Sequence, residues 1–171
     1  MDLSPDGRWL AAGVWQARGV AIWDARTGEI TQKLEAPYSA ICRFSPDGLR
    51  LAIGDTSGYR ILRASTWRTE RTVPHERIGD HSFHMAFAPG GDRLLVLSST
   101  ASVRLVSTAG GAEVATFACP RGYRPNHPAY APSGNFLALG IPGGSLWIWD
   151  LPAADRVLRA AGLEPILPGR E

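Results

Sequence analysis

One tetrad, met four times, limits what this chain can fold into. Ser4-Pro5-Asp6-Gly7 returns as Ser45-Pro46-Asp47-Gly48 and, in altered form, as Ala88-Pro89-Gly90-Gly91 and Ala131-Pro132-Ser133-Gly134. The closing glycines are 41, 43 and 43 residues apart. Each tetrad suits a type I turn: serine caps the first position, proline presets φ at the second, and glycine relaxes the fourth. A spacing of this kind marks a repeat architecture, and the rest of the chain has to be read through it. The 19 glycines and 13 prolines are largely the punctuation of that repeat.

What flanks the turn repeats as well. Leu10, Leu51, Leu94 and Leu137 stand three residues past the glycine, and Leu3, Phe44, Phe87 and Tyr130 four residues before it. After a loop comes a run rich in β-branched and aromatic residues: Val20-Ala21-Ile22-Trp23, Tyr59-Arg60-Ile61-Leu62, Val103-Arg104-Leu105-Val106 and Leu146-Trp147-Ile148-Trp149. Such runs predict strands. A further apolar anchor follows in three units, at Leu34, Val73 and Phe117, after hairpin turns such as Ala25-Arg26-Thr27-Gly28. Each unit therefore reads as four short antiparallel strands, a to d. A sheet of that size has two apolar faces and cannot bury both alone, and radial stacking of such sheets buries them. The expected fold is all-β, a β-propeller of four blades with incomplete first and last blades and a short C-terminal helix.

Trp23-Asp24 and Trp149-Asp150 close strand c and resemble the Trp-Asp dipeptide of the WD40-repeat family. The Ser-Pro-Asp-Gly turns after an apolar residue resemble it too, and the period agrees with the 40–45 residues of a WD40 blade. TolB-like propellers share the tetrad, but Ala25-Arg26-Thr27-Gly28-Glu29 after Trp23-Asp24 favours WD40. The resemblance covers residues 1–151. It departs from the family in lacking a Gly-His dipeptide in all four units and in carrying Leu62-Arg63 and Val106-Ser107 where Trp-Asp would sit. The family's His–Ser/Thr–Asp–Trp network therefore cannot form in full, and apolar packing has to carry the blades.

The ends are ragged. Strand a of the first unit has only Met1, Asp2 and Leu3 before its turn, and no strand d follows Asp150. Residues 152–171 read instead as a helical tail. Asp150 caps it, Pro152 suits its first turn, Gly162 stops it, and Val157, Leu158 and Ala161 give it an apolar face. This tail resembles the ending of bacterial WD40 proteins whose propeller follows a kinase or other signalling region. Three readings stand: the C-terminal part of a longer propeller with Met1 internal, two four-blade arcs closing one ring by self-association, or a closed four-blade monomer.

Charge excludes some partners. Lysine plus arginine is 18 against 16 acids, and Lys33 is the only lysine. Dispersed arginine without a basic stripe or stacking platform argues against nucleic acid. No apolar run approaches the roughly 18 residues of a membrane helix, so no membrane partner is expected. The first residues have neither a basic nor an apolar signal region, which with Met1 as native start reads as cytoplasmic. Cys42 and Cys119 form no metal-type pair. His81 and His84, three apart on a strand, point to opposite faces and do not share a metal. Neither a nucleophile elbow nor a phosphate loop is present. Asp6 and Asp47 are turn formers, and Trp9, Trp23, Trp147 and Trp149 read as core, with Trp15 and Trp67 open. No catalytic residue, cofactor or metal is expected, and the chain reads as no enzyme.

Binding is expected on the rim that carries the b–c and d–a loops, because these vary while the a–b and c–d turns are uniform. Two d–a loops flank the third unit, residues 74–81 and 120–127. They bring His75, Arg77, His81, Arg121, Tyr123, Arg124 and His127 to one rim, with arginine and tyrosine the types enriched in interface hot spots. The reading that follows is an interaction scaffold for a protein or peptide. The alternative is a regulatory or substrate-gating module of a larger signalling enzyme whose kinase-like region lies outside this chain.

Overall fold

The tetrads turn the chain as their chemistry requires. In the computed structural model, which describes residues 1–13, 18–37, 39–74, 84–99, 102–119, 126–141 and 143–167, the amide of Gly7, Gly48, Gly91 and Gly134 donates to the carbonyl of the residue three before it at 2.8–2.9 Å. All four glycines have φ of 70–72°, the left-handed region that a side chain disfavours. The two intact tetrads add a side-chain layer. Ser4 Oγ donates to Asp6 Oδ1 and accepts from the Trp9 amide, and Ser45 Oγ does the same with Asp47 and Arg50.

Among the described residues fifteen strands form four antiparallel sheets. Sheet 1 is β1 (Asp2–Leu3), β2 (Trp9–Gly13), β3 (Val20–Asp24) and β4 (Ile30–Leu34). Sheet 2 is β5 (Ile41–Phe44), β6 (Arg50–Asp55), β7 (Gly58–Arg63) and β8 (Arg68–Val73). Sheet 3 is β9 (Met85–Phe87), β10 (Arg93–Leu97), β11 (Ser102–Ser107) and β12 (Glu113–Ala118). Sheet 4 has three strands, β13 (Asn126–Tyr130), β14 (Phe136–Ile141) and β15 (Ser145–Asp150). Within each sheet the strands pair in chain order. The last hairpins of sheets 1, 2 and 3 carry a register shift at one repeat position, after Ile22, Ile61 and Leu105.

Alternation along each strand gives every sheet a forward and a backward face. Forward residues of one sheet pack on backward residues of the next, in three clusters. Val20 and Ile22 meet Phe44, Leu51 and Leu62. Tyr59, Ile61 and Val73 meet Phe87, Leu94 and Val106. Val103, Leu105 and Phe117 meet Leu137, Leu139 and half-buried Tyr130, Trp147 and Trp149. Buried Tyr59 finds a partner for its hydroxyl across the second junction, donating to the Leu97 carbonyl at 2.9 Å. Trp67, at φ 57°, packs against the first cluster with its ring 5.5 Å from Trp9, edge to face.

A helix, α1 (Leu151–Ala160), follows β15 directly. Asp150 caps it by accepting from the Ala153 amide at 2.8 Å. Its packing face differs from the sequence reading. Leu151, Ala154 and Leu158, spaced to share one side, meet the third cluster, whereas Val157 is 70% exposed and Ala161 is also exposed. Buried Asp155 ties the following segment back by accepting from the Ile166 and Leu167 amides. Among the described residues no helix is long and apolar enough to cross a membrane.

Candidate functional site

The two ends of the stacked sheets differ in construction. One end carries the tetrads and the matching hairpin turns, and it is uniform. Ala25, Ala64, Thr108 and Leu151 occupy equivalent positions, and their amides donate to Arg8, Leu49, Asp92 and Asn135 carbonyls at 2.8–2.9 Å. The other end carries loops of different lengths. There, equivalent arginines of the third strands hold the roots of the loops that lead from one sheet to the next. Arg60 Nη2 donates to the Glu35 carbonyl at 2.6 Å and pairs with buried Asp55 at 3.1 Å. Arg104 Nη2 donates to the Pro74 carbonyl. Asp55 in turn accepts from the Ser57 amide at 2.8 Å, which fixes the short loop between β6 and β7.

Between the first two sheets this end opens into a groove of about 760 Å³. Arg18, Lys33, Arg60, Glu35, Leu34 and Pro37 line it. Arg18 and Lys33 are exposed, and with Arg60 already engaged by Asp55 they leave the groove net positive against Glu35. An acidic or carbonyl-rich chain is the chemistry such a surface accepts.

Of the residues expected on this rim, His127 is placed. It is exposed near the start of β13, with φ 47°, and its ring centroid lies 4.3 Å from that of His84. His75, Arg77, His81, Arg121, Tyr123 and Arg124 lie outside the described residues. His84, half-buried just ahead of β9, has its pKa lowered to about 4, by desolvation first and then by the charges of His127 and Arg43. The equivalence of His84 and His127 was visible in the repeat. Their approach was not, because it depends on how sheets 3 and 4 stack. The arginine clasps were also missed. Their signal is arginine at the second place of Tyr59-Arg60-Ile61-Leu62 and Val103-Arg104-Leu105-Val106, where the other two units have Ala21 and Trp147.

The remaining candidates for chemistry are quiet. Burial pushes the Cys42 thiol up to about 12 and raises Cys119 too, so both stay protonated and weakly nucleophilic near neutral pH. Both are free cysteines. Among the described residues no group of three or more histidine, cysteine or acidic side chains is placed to hold a metal.

No family model matches the chain, and no curated relative matches it. A solved structure does. Hydrazine synthase of Kuenenia stuttgartiensis superposes with a TM-score of 0.75 over 89% of this chain, at 19% identity. The likeness is one of fold. This chain spans 45% of that protein's length, less than half of it. The shared architecture is the repeated antiparallel sheet, and the chemistry named for that enzyme stays with it.

Proposed function

We propose that the four sheets are WD40-type β-propeller blades and that the chain works as a non-catalytic interaction scaffold. It takes a protein or peptide on the rim that carries the variable loops. The contrast between the two rims carries this reading. One is a row of equivalent turns closed by the same backbone hydrogen bonds. The other mounts unequal loops on arginine-clasped roots and opens the groove lined by Arg18, Lys33 and Arg60. Variable loops on rigid sheets are where binding function concentrates. The positive groove favours an acidic stretch of the partner.

The test is binding of a fluorescent acidic peptide set by anisotropy. Reversing charge with Arg18→Glu plus Lys33→Glu should weaken the best binder about tenfold or more. Arg26→Glu, on the uniform rim, should leave it unchanged. Tyr123→Ala plus Arg124→Ala tests the loops that flank the third unit in the same assay. Equal loss in the Arg26→Glu control, or none in either rim variant, would remove the rim as the site.

A further inference from the structure

The repeat makes two kinds of sheet face, and each junction joins one of each. Forward faces are recognised by the first and third residues of the third strand. Val20 and Ile22, Tyr59 and Ile61, and Val103 and Leu105 are all at most 2% exposed. Backward faces are recognised by the leucine three past the turn glycine, and Leu51, Leu94 and Leu137 are fully buried. Three junctions use three forward and three backward faces. One of each kind is left over.

The unused forward face belongs to sheet 4. Leu146 and Ile148 hold the same repeat positions as Val20 and Ile22, yet they are 66% and 64% exposed, with Phe136 beside them at 44%. Helix α1 does not cover them, because Leu151, Ala154 and Leu158 pack on the opposite side of the sheet with Leu137 and Leu139. The unused backward face belongs to sheet 1. Leu3, Leu10, Trp23 and Ile30 run across its four strands in one row. Leu3 and Ile30 are 52% and 48% exposed. Leu3, Leu10 and Trp23 are the repeat equivalents of Phe44, Leu51 and Leu62, the residues that receive Val20 and Ile22 at the first junction.

We infer that the forward face of sheet 4 docks on the backward face of sheet 1 of a second copy of this chain, head to tail. The contact continues the three junctions already present, with Ile148 and Leu146 set against Leu10, Leu3 and Trp23. The matching surface is supplied by the same molecule in equal number, so each copy offers one donor face and one acceptor face. Such an interface is heterologous: different patches meet, and neither pairs with itself. Apolar rows of this extent, left in water, are the surfaces that mark association sites.

The experiment measures mass by light scattering across a concentration series. Wild type should rise from one chain to two or more. Ile148→Asp and Ile30→Asp each put a carboxylate into one of the two faces and should weaken association about tenfold or more. Both sites are exposed, so circular dichroism should show each variant folded like wild type. An equimolar mixture of the two variants retains one sound junction and should form a pair. Three results would overturn the inference: wild type that stays a single chain up to roughly millimolar concentration, where a free energy of about 4 kcal/mol would already show; loss of association in Ile148→Asp alone; or a mixture that stays dissociated. Arg18→Glu alone, in a groove residue that belongs to neither face, should associate like wild type, which separates this contact from peptide capture on the rim.

Discussion

Ile61 and Ile148 are the same residue at the same place in the repeat, and they live in opposite surroundings. Ile61, on sheet 2, is fully buried between Tyr59, Val73 and the face of sheet 3. Ile148, on sheet 4, is 64% exposed. Each strand is bonded antiparallel to its predecessor in an unbroken register, but β7 also pairs with β8, whereas β15 is the last strand of its sheet. Beyond that fourth strand, the forward face of sheet 2 is covered by sheet 3, and among the described residues no sheet covers that of sheet 4. Burial in this molecule is therefore a property of the junction and not of the residue or its strand, which is how stacked repeats distribute stability.

The comparison is broken most directly by truncating both residues. Ile61→Ala removes fully buried atoms and should cost about 2–5 kcal/mol. Ile148→Ala should change stability by no more than about 0.5 kcal/mol in dilute solution, as exposed sites do. Urea midpoints at one low protein concentration decide it, and equal costs would show that sheet 4 is covered in solution.

A smaller effect separates the two Trp-Asp pairs. Asp24 accepts from the Arg26 and Thr27 amides and holds a hairpin turn, whereas Asp150 accepts from the Ala153 amide and starts α1. Asp150→Ala should cost about 0.5–1 kcal/mol and reduce the helical signal at 222 nm. Asp24→Ala should leave that signal intact. Loss of the helical signal from Asp24→Ala would mean the helix depends on the first sheet.

The smallest effect is in pH and concerns the junction of sheets 3 and 4, where His84 meets His127. The unfolded chain binds a proton at His84 near its ordinary value of 6.5, while the folded chain does so only near about 4. The unfolded state therefore holds more protons between those values. His84's contribution is intact above pH 6.5, is lost as pH falls from there toward 4, and changes no further below. His84→Gln should flatten that part of the stability profile. His127→Gln should shrink it by removing a charge that opposes protonation of His84. An unchanged slope in His84→Gln would place the acid sensitivity elsewhere.

Much of the fold could be read from residues close in sequence. The Ser-Pro-Asp-Gly turns, the leucine three past each glycine and the alternating runs act through neighbours a few positions away, so local chemistry suffices. Helix α1 was legible for the same reason, from Asp150, Pro152 and Gly162. Its packing face was not, since Leu151 and Ala154 are chosen over Val157 and Ala161 by the position of sheet 3. Trp67 shows the same limit. Its sequence position leaves it open, and the structure closes its ring against Trp9, some 58 positions away in the chain. On the candidate rim, variable loops could be located but not the arginines that fix them, because Arg60 and Arg104 act on carbonyls 25 and 30 residues distant.

By itself the sequence determined the unit. Turn chemistry and two-residue alternation set four copies of an antiparallel sheet and their helical ending. The tertiary structure decided which copies of equivalent residues are buried, which arginines clasp which loops, and that His84 meets His127. Burial and long-range hydrogen bonds depend on what is stacked alongside, and a repeat writes the same residues whether a neighbour is present, as at Ile61, or not, as at Ile148.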